Sequence, residues 1–242
     1  MRLDKALLVR GMVKSRTLAA RLIQAGAVQV NEQLALKPSQ QVDPDDRLTL
    51  LESGVNSYVS RAGHKLAAAL KAFGIQVSGR RCLDAGASTG GFTDVLLQQG
   101  AAQVLAVDVG HGQFDSRLAK DGRVQLFEGV NVRYLQQQEL AGPVDLTVAD
   151  LSFISLTLVL PALTGVTRAG GELVLLVKPQ FEVGKDGLGP GAIVKDPRAR
   201  QAALHTVEGA ARELGLDIAG QQESVLPGQN GNIEYFLWCR KP

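Results

Sequence analysis

The stretch Arg81-Cys82-Leu83-Asp84-Ala85-Gly86-Ala87-Ser88-Thr89-Gly90-Gly91-Phe92 constrains this chain more than any other. A short apolar run stops in a glycine-rich turn, and a helical pattern begins at once over residues 92–99. Glycine lets backbone N–H groups approach a ligand closely, and the N-terminus of the next helix favours negative charge. Further on, Val104-Leu105-Ala106-Val107-Asp108 reads as a second strand ending in a carboxylate. Strand, turn, helix, strand and acid in that order make a nucleotide-type cofactor site, with Asp108 placed for ribose hydroxyls.

The glycine spacing narrows the cofactor. A dinucleotide fingerprint needs G-x-G-x-x-G, but Ser88 stands two after Gly86, and Gly90 and Gly91 follow. No G-K-[ST] follows for a triphosphate either. The form D-x-G-x-x-x-G-G-F resembles the first motif of S-adenosylmethionine methyltransferases. That resemblance implies backbone contacts to the cofactor at Gly86, Ser88, Gly90 and Gly91, with Phe92 walling the pocket. Asp84 is expected to bond within the turn, and Asn131, after the third strand, to lie near the adenine.

Beyond Asp108 the pattern keeps alternating. Residues 124–127, 144–150 and 171–178 read as strands, with helices expected from Val132, over 155–163 and over 197–214. Strands this apolar, alternating with helices, indicate an α/β fold with a doubly wound parallel sheet. Two final strands, 218–225 and 233–240, suit a hairpin-like antiparallel edge. A Gly/Pro-rich connection over 179–197, containing Lys185, Gly187 and Lys195, leaves the carboxyl end of a strand, where ligands sit.

The N-terminal stretch differs in charge and pattern. Arg2, Lys5, Arg10, Lys14, Arg16 and Arg21 face one acid, Asp4, within residues 1–30. A short amphipathic helix over 2–10 is followed by Gly11. Ser15 can cap a second helix through Ala25, with Gly26 as its stop. Residues 28–31 and 48–50 read as partner strands, with Pro38, Asp43 and Pro44 supplying turns between them. R-L-D-K-A-L followed by S-R-T-L-A-A-R-L-I-Q-A-G-A-V-Q-V-N resembles the RNA-binding domain named after small-subunit ribosomal protein four. The resemblance implies that the six cations contact structured RNA, mainly through phosphates, as basic helix faces do. The expected organisation is an α+β RNA-binding domain over 1–55, a linker over 56–60 and the α/β domain over 61–242.

Lys178 follows Leu-Val-Leu-Leu-Val, where an amine is expensive unless it points into a polar site, and Asp150 ends its own strand in the same way. Adjacent parallel strands would bring both to the carboxyl side of the sheet, beside the glycine turn. Here the resemblance becomes specific. Y-V-S-R-A-G-H-K-L from Tyr58, D-L-S-F-I-S from Asp150, K-P-Q-F-E from Lys178 and G-N-I-E-Y-F from Gly231, together with the glycine turn, are similar to the TlyA family. These are hemolysin-A-like ribosomal RNA 2′-O-methyltransferases that join the RNA-binding domain to an FtsJ-like, Rossmann-like catalytic domain. The resemblance spans residues 1–240 and implies a Lys-Asp-Lys-Glu tetrad at Lys65, Asp150, Lys178 and Glu234. Ala62 stands where many relatives carry glycine.

A ribose hydroxyl is a poor nucleophile, so such an enzyme must align oxygen, methyl and sulfur and help a proton leave. A lysine does this only where burial or a second cation favours its neutral form. The family implies S-adenosylmethionine as cofactor and ribosomal RNA or ribosomal subunits as partner, with cytidine 2′-hydroxyls as targets.

Other classes fit less well. No run of 18 apolar residues and no signal peptide is present, which argues against a membrane protein or a pore-forming hemolysin. Cys82 and Cys239 lack C-x-x-C spacing and read as reduced thiols of a cytoplasmic protein. Three scattered histidines give no metal site. A ribosome-assembly protein without catalysis would not need the tetrad, and a small-molecule methyltransferase would not need the basic N-terminus.

Overall fold

Two short amphipathic helices and a run of alternating apolar strands build two separate units, Met1–Arg61 and Ala62–Pro242. The structure, a computed structural model, describes residues 1–24, 27–35, 37–50, 58–184, 188–228 and 231–242. The expected helix stop at Ala25 and Gly26, residues 56 and 57 of the expected linker, and Lys185 and Gly187 lie outside the described residues, as does the side chain of Arg21.

In the first unit, Leu3, Ala6 and Leu7 share one face of α1 (Leu3–Val9) and are buried in one cluster with Ala19, Leu22 and Ile23 of α2 (Arg16–Gln24). Ser15 caps α2 as expected, its Oγ accepting from Leu18 N at 3.1 Å. β1 (Val28–Val30) pairs antiparallel with β3 (Leu48–Leu50) and also with a strand the sequence did not announce, β2 (Gln33–Leu34). The two-residue loop between β1 and β2 puts Asn31 and Glu32 at positive φ, 51° and 69°. Glutamate is an unusual residue for such a turn, which hid the hairpin.

The second unit holds seven strands: β4 (Arg81–Ala85), β5 (Gln103–Asp108), β6 (Val124–Glu128), β7 (Val144–Ala149), β8 (Thr167–Val177), β9 (Asp217–Glu223) and β10 (Tyr235–Arg240). They lie in the order β6-β5-β4-β7-β8-β10-β9. The five from β6 to β8 run parallel, and β10 is antiparallel to both its neighbours. The order reverses at β4, and crevices that hold ligands open at such points, beyond the carboxyl ends of the strands.

Both faces of the sheet are covered. Leu83, Leu105, Leu175 and Leu237 pack with Leu160 and Leu163 of α5 (Leu156–Val166) and Leu204 and Val207 of α7 (Pro197–Glu213). The alternate residues of β10 face the other way. There Trp238 stacks on Phe73 of α3 (Arg61–Phe73) at 5.4 Å, and Phe236 lies 6.2 Å from Phe92 of α4 (Gly91–Gln98).

One expectation is corrected. The helix expected from Val132 is a single 3₁₀ turn, Val132–Tyr134. Val132 and Leu135 anchor it in the core, but residues 136–139 offer no apolar side chain to extend a buried face. The final two strands form the expected antiparallel edge, with β10 on the inner side against β8, where Phe236, Leu237 and Cys239 are covered on both faces, and β9 outermost.

Candidate active site

The glycine turn is wound tightly onto the ends of three strands. Gly86 N and Ala87 N both donate to Val107 O, at 2.8 and 3.1 Å, and Asp150 N donates to Ala85 O at 3.0 Å. Gly86 has φ +87°, and a Cβ there would sit 2.6 Å from the Asp150 carbonyl oxygen. Gly90 has φ +93°, and a Cβ there would meet Leu118 Cδ1 at 2.6 Å and Phe114 at 3.1 Å. Only glycine meets both demands at these two positions. Phe114 and Leu118 belong to a segment that returns to the turn, tied by Asp115 N to Thr89 O at 3.2 Å. Nothing in the local pattern of residues 114–118 signals this placement.

Asp84 lies beneath the turn with no exposure. Its Oδ2 accepts from Thr93 N at 2.8 Å and Thr93 Oγ1 at 2.7 Å, which fixes the start of α4. Burial outweighs these bonds and pushes its pKa up to about 7. Its other oxygen, Oδ1, is buried without a hydrogen bond. Asp84 therefore bonds within the turn, as expected, and does not face an open cavity. Phe92 is buried, at 2% exposure, and its ring props α4 on Phe236 rather than lying open beside the turn. In α4, Phe92 falls on the same face as Val95 and Leu96, which pack into the core.

Asp108 closes the other side of the turn. Its Oδ2 accepts from Ser88 N at 2.8 Å and its Oδ1 from Gly110 N at 2.7 Å. Each carboxylate oxygen has a second lone pair for a ligand hydroxyl. Asn131 is exposed beyond β6, and its side chain caps the 3₁₀ turn by accepting from Arg133 N at 3.0 Å.

The four tetrad positions form two ion pairs. Lys178 Nζ lies 2.7 Å from Asp150 Oδ1, a contact of charges without the angle of a hydrogen bond, and it donates to Ser152 Oγ at 2.8 Å. Lys65 Nζ of α3 donates to Glu234 Oε2 at 2.6 Å. Tyr235 pairs with Val177, so Glu234 and Lys178 each stand one residue beyond that pair, on neighbouring strands. Both amines are nearly buried, at 6% exposure for Lys65 and 9% for Lys178, and each is held against one carboxylate. Burying unpaired charges would be prohibitive; paired, they form a dry, charged floor.

Two neighbours escaped the sequence reading. Ser152 directs Lys178. Phe153 is 91% exposed with φ +64°, a conformation a bulky side chain rarely takes. Its ring lies 5.3 Å from that of Phe181, which itself lies 5.9 Å from Lys178 Nζ. The only signal was their place in D-L-S-F and K-P-Q-F.

The model of the FtsJ-like methyltransferase family matches residues 58–241, and that of the S4 domain matches residues 1–48. The chain belongs to the FtsJ-like methyltransferase family. It is 52% identical over 239 residues to the 16S/23S rRNA (cytidine-2′-O)-methyltransferase TlyA of Mycobacterium tuberculosis, covering 99% of this chain and 89% of that one. It is 36% identical over 237 residues to Hemolysin A of Brachyspira hyodysenteriae, covering 98% of each. The solved structure of a hemolysin candidate from Streptococcus thermophilus superposes with a TM-score of 0.77 at 39% identity, covering 100% of this chain and 88% of that one.

The residues of this FtsJ-like domain suit the family's cofactor, S-adenosylmethionine. A tight turn at Gly86 and Gly90, where no side chain fits, and the Asp108 carboxylate beside it are the features such a ligand needs. Among the described residues, no group of three His, Cys, Asp or Glu could hold a metal ion.

In the S4 domain the six expected RNA contacts divide. Lys5 and Lys14 are exposed. Arg2 and Arg16 are ion-paired with Asp4, at 3.0 and 2.8 Å. Arg10 is exposed, and three of its donors are engaged by the carbonyls of Asp43, Pro44 and Asp46, which ties that turn to α1.

Proposed function

We propose that this protein transfers the methyl group of S-adenosylmethionine to cytidine ribose 2′-hydroxyls of ribosomal RNA. The observation that carries this reading is the pair of buried Lys–carboxylate contacts at the strand ends beside the glycine turn. The S4 match and the rRNA methyltransferase name of the mycobacterial relative support the substrate class.

S-adenosylmethionine, when bound, supplies a sulfonium methyl already activated for displacement. The turn at Gly86, Ser88, Gly90 and Gly91 would hold it through backbone groups, Asp108 would orient its ribose, and Asn131 would lie on the adenine side. Lys178 contacts the target hydroxyl and helps its proton leave, while Asp150 and Ser152 fix the direction of the amine. Lys65 and Glu234 set the charge and shape of the floor alongside. Phe153 offers a flat apolar face next to this centre, and a nucleotide acceptor gives that face something to stack on. Ribosomal subunits as substrate imply the cytoplasm, and the free, buried Cys82 and Cys239 agree with a reducing compartment. Two of the relatives bear hemolysin names; in this chain no helix among the described residues is long and apolar enough to cross a membrane.

The test is methyl transfer from labelled S-adenosylmethionine to purified ribosomal subunits, with the product nucleotide mapped, beside Lys178→Ala. Label on a ribose 2′-oxygen, lost in the variant, is the expected result. Cofactor binding without label on either subunit would move the reading to another acceptor.

A further inference from the structure

Among the cations of residues 1–30 stands a lone acid, Asp4, on the very face expected to meet a polyanion. Simple electrostatics would remove it, since a negative charge there repels RNA. The structure instead builds around it. Asp4 is buried, and its carboxylate takes four donors: Arg2 Nε at 3.1 Å and Arg2 Nη2 at 3.0 Å, Arg16 Nη2 at 2.8 Å, and the backbone N of Lys5 at 2.9 Å. The two arginines come from different elements. Arg2 is the residue before α1 and Arg16 opens α2, so one carboxylate fixes the guanidiniums of two helices relative to each other. The backbone at this point is also held, by Leu3 N to Gln40 O at 2.8 Å and Asp4 N to Pro38 O at 3.1 Å.

What the pair leaves open points to its ligand. The side chains of Arg2 and Arg16 remain 48% and 53% exposed. A guanidinium carries five N–H donors, and the bonds to Asp4 leave several on each arginine. Arg10 differs in spending three of its five donors on backbone carbonyls. Two cations and one anion sum to a single positive charge, the complement of one phosphodiester, and planar forks match phosphate oxygens in pairs.

We propose that Asp4 is the positioning residue of a phosphate site made by Arg2 and Arg16, and that its ligand is a backbone phosphate of RNA. The proposal rests on the ribosomal RNA reading above and adds to it a residue whose charge has the wrong sign for direct contact. Asp4 works by holding two forks at fixed spacing, so that binding does not have to order two long side chains.

The experiment measures binding of the full chain to purified ribosomal subunits across a salt series, for wild type, Asp4→Asn and Arg16→Lys, with S-adenosylmethionine affinity and melting temperature alongside. Asp4→Asn is expected to bind subunits about tenfold more weakly although it gains positive charge. Arg16→Lys is expected to lose a similar factor although its charge is unchanged, because an ammonium lacks the fork. The double variant should lose little more than either single one. Cofactor affinity should stay at the wild-type value in all three. Should Asp4→Asn lower the melting temperature, Arg16→Lys decides, since it keeps a positive charge against Asp4 and removes only the fork. Binding by Asp4→Asn as tight as wild type or tighter, or Arg16→Lys indistinguishable from wild type at every salt, would overturn the proposal. A wild-type chain that binds the cofactor but no subunit would remove the ribosomal reading, and this site with it.

Discussion

Lys178 Nζ and Asp150 Oδ1 stand 2.7 Å apart at the carboxyl ends of neighbouring parallel strands, with both side chains largely buried. Truncating Lys178 removes the amine and leaves the carboxylate without its counter-charge. Lys178→Ala is expected to lower kcat by about 10²–10⁴-fold, the usual range for a proton-handling group. Lys178→Arg should not rescue it, since a guanidinium stays protonated. Cofactor affinity, followed by calorimetry, should change little in either variant. Wild-type turnover in Lys178→Ala would move the chemistry to another residue.

Gly86 tests the turn. A methyl group there meets the Asp150 carbonyl, and a φ of +87° adds strain of about 1–2 kcal/mol for any other residue. Gly86→Ala is expected to weaken S-adenosylmethionine binding by roughly tenfold or more and to reduce methyl transfer with it. Unchanged affinity would show that the turn does not approach the cofactor.

Asp84 gives a pH dependence with a definite sign. Its pKa rises from 3.8 to about 7 on folding, mainly through burial. The folded chain thus holds this proton more tightly than the unfolded one between those limits. Stability falls as pH rises from about 4 to 7 and is level beyond, with a difference on the order of 4 kcal/mol. Asp84→Asn keeps an oxygen for Thr93 and loses the charge. Urea denaturation at pH 4.5 and 7.5 should show a shallower pH slope for the variant than for wild type; parallel slopes would contradict the assignment.

Phe153 holds a strained backbone to keep its ring in solvent. Stacking on one base is worth about 1–3 kcal/mol, so Phe153→Ala should raise the KM for ribosomal substrate by roughly 5- to 150-fold. Cofactor affinity and melting temperature should hold. A variant with wild-type KM would leave the exposed ring without a role in the reaction.

The two thiols serve as a control on the core. Burial pushes Cys82 and Cys239 up to about 12, so neither should react with a thiol reagent at pH 8 in the native chain, and both should react in denaturant. Fast labelling of the native protein would mean that β4 or β10 opens.

Much of this molecule is written in local pattern. The helix Arg61–Phe73 follows from apolar residues at helical spacing, and the glycine turn from Gly86 and Gly90. The strand ends at Asp150 and Lys178 follow from apolar runs broken by one charge. These features depend on neighbours within a few residues, so period and turn chemistry suffice to find them. Resemblance supplied what local pattern could not, the roles of Lys65 and Glu234. These two are 169 residues apart and meet at 2.6 Å because α3, whose Phe73 stacks on Trp238, packs against β10.

Other features belonged to the tertiary structure alone. Phe92 reads as a pocket wall until α4 turns it onto Phe236, and Arg10 reads as a free cation until the turn at Asp43–Asp46 captures it. Asp4 reads as a stray acid until two helices deliver their arginines to it. The sequence by itself determined where the central strands of the α/β sheet stop and which side chains stand at their ends. Which of those side chains share a site was decided by the order of the strands and the packing of the helices, because a buried charge takes its partner from whatever the fold brings within about 3 Å.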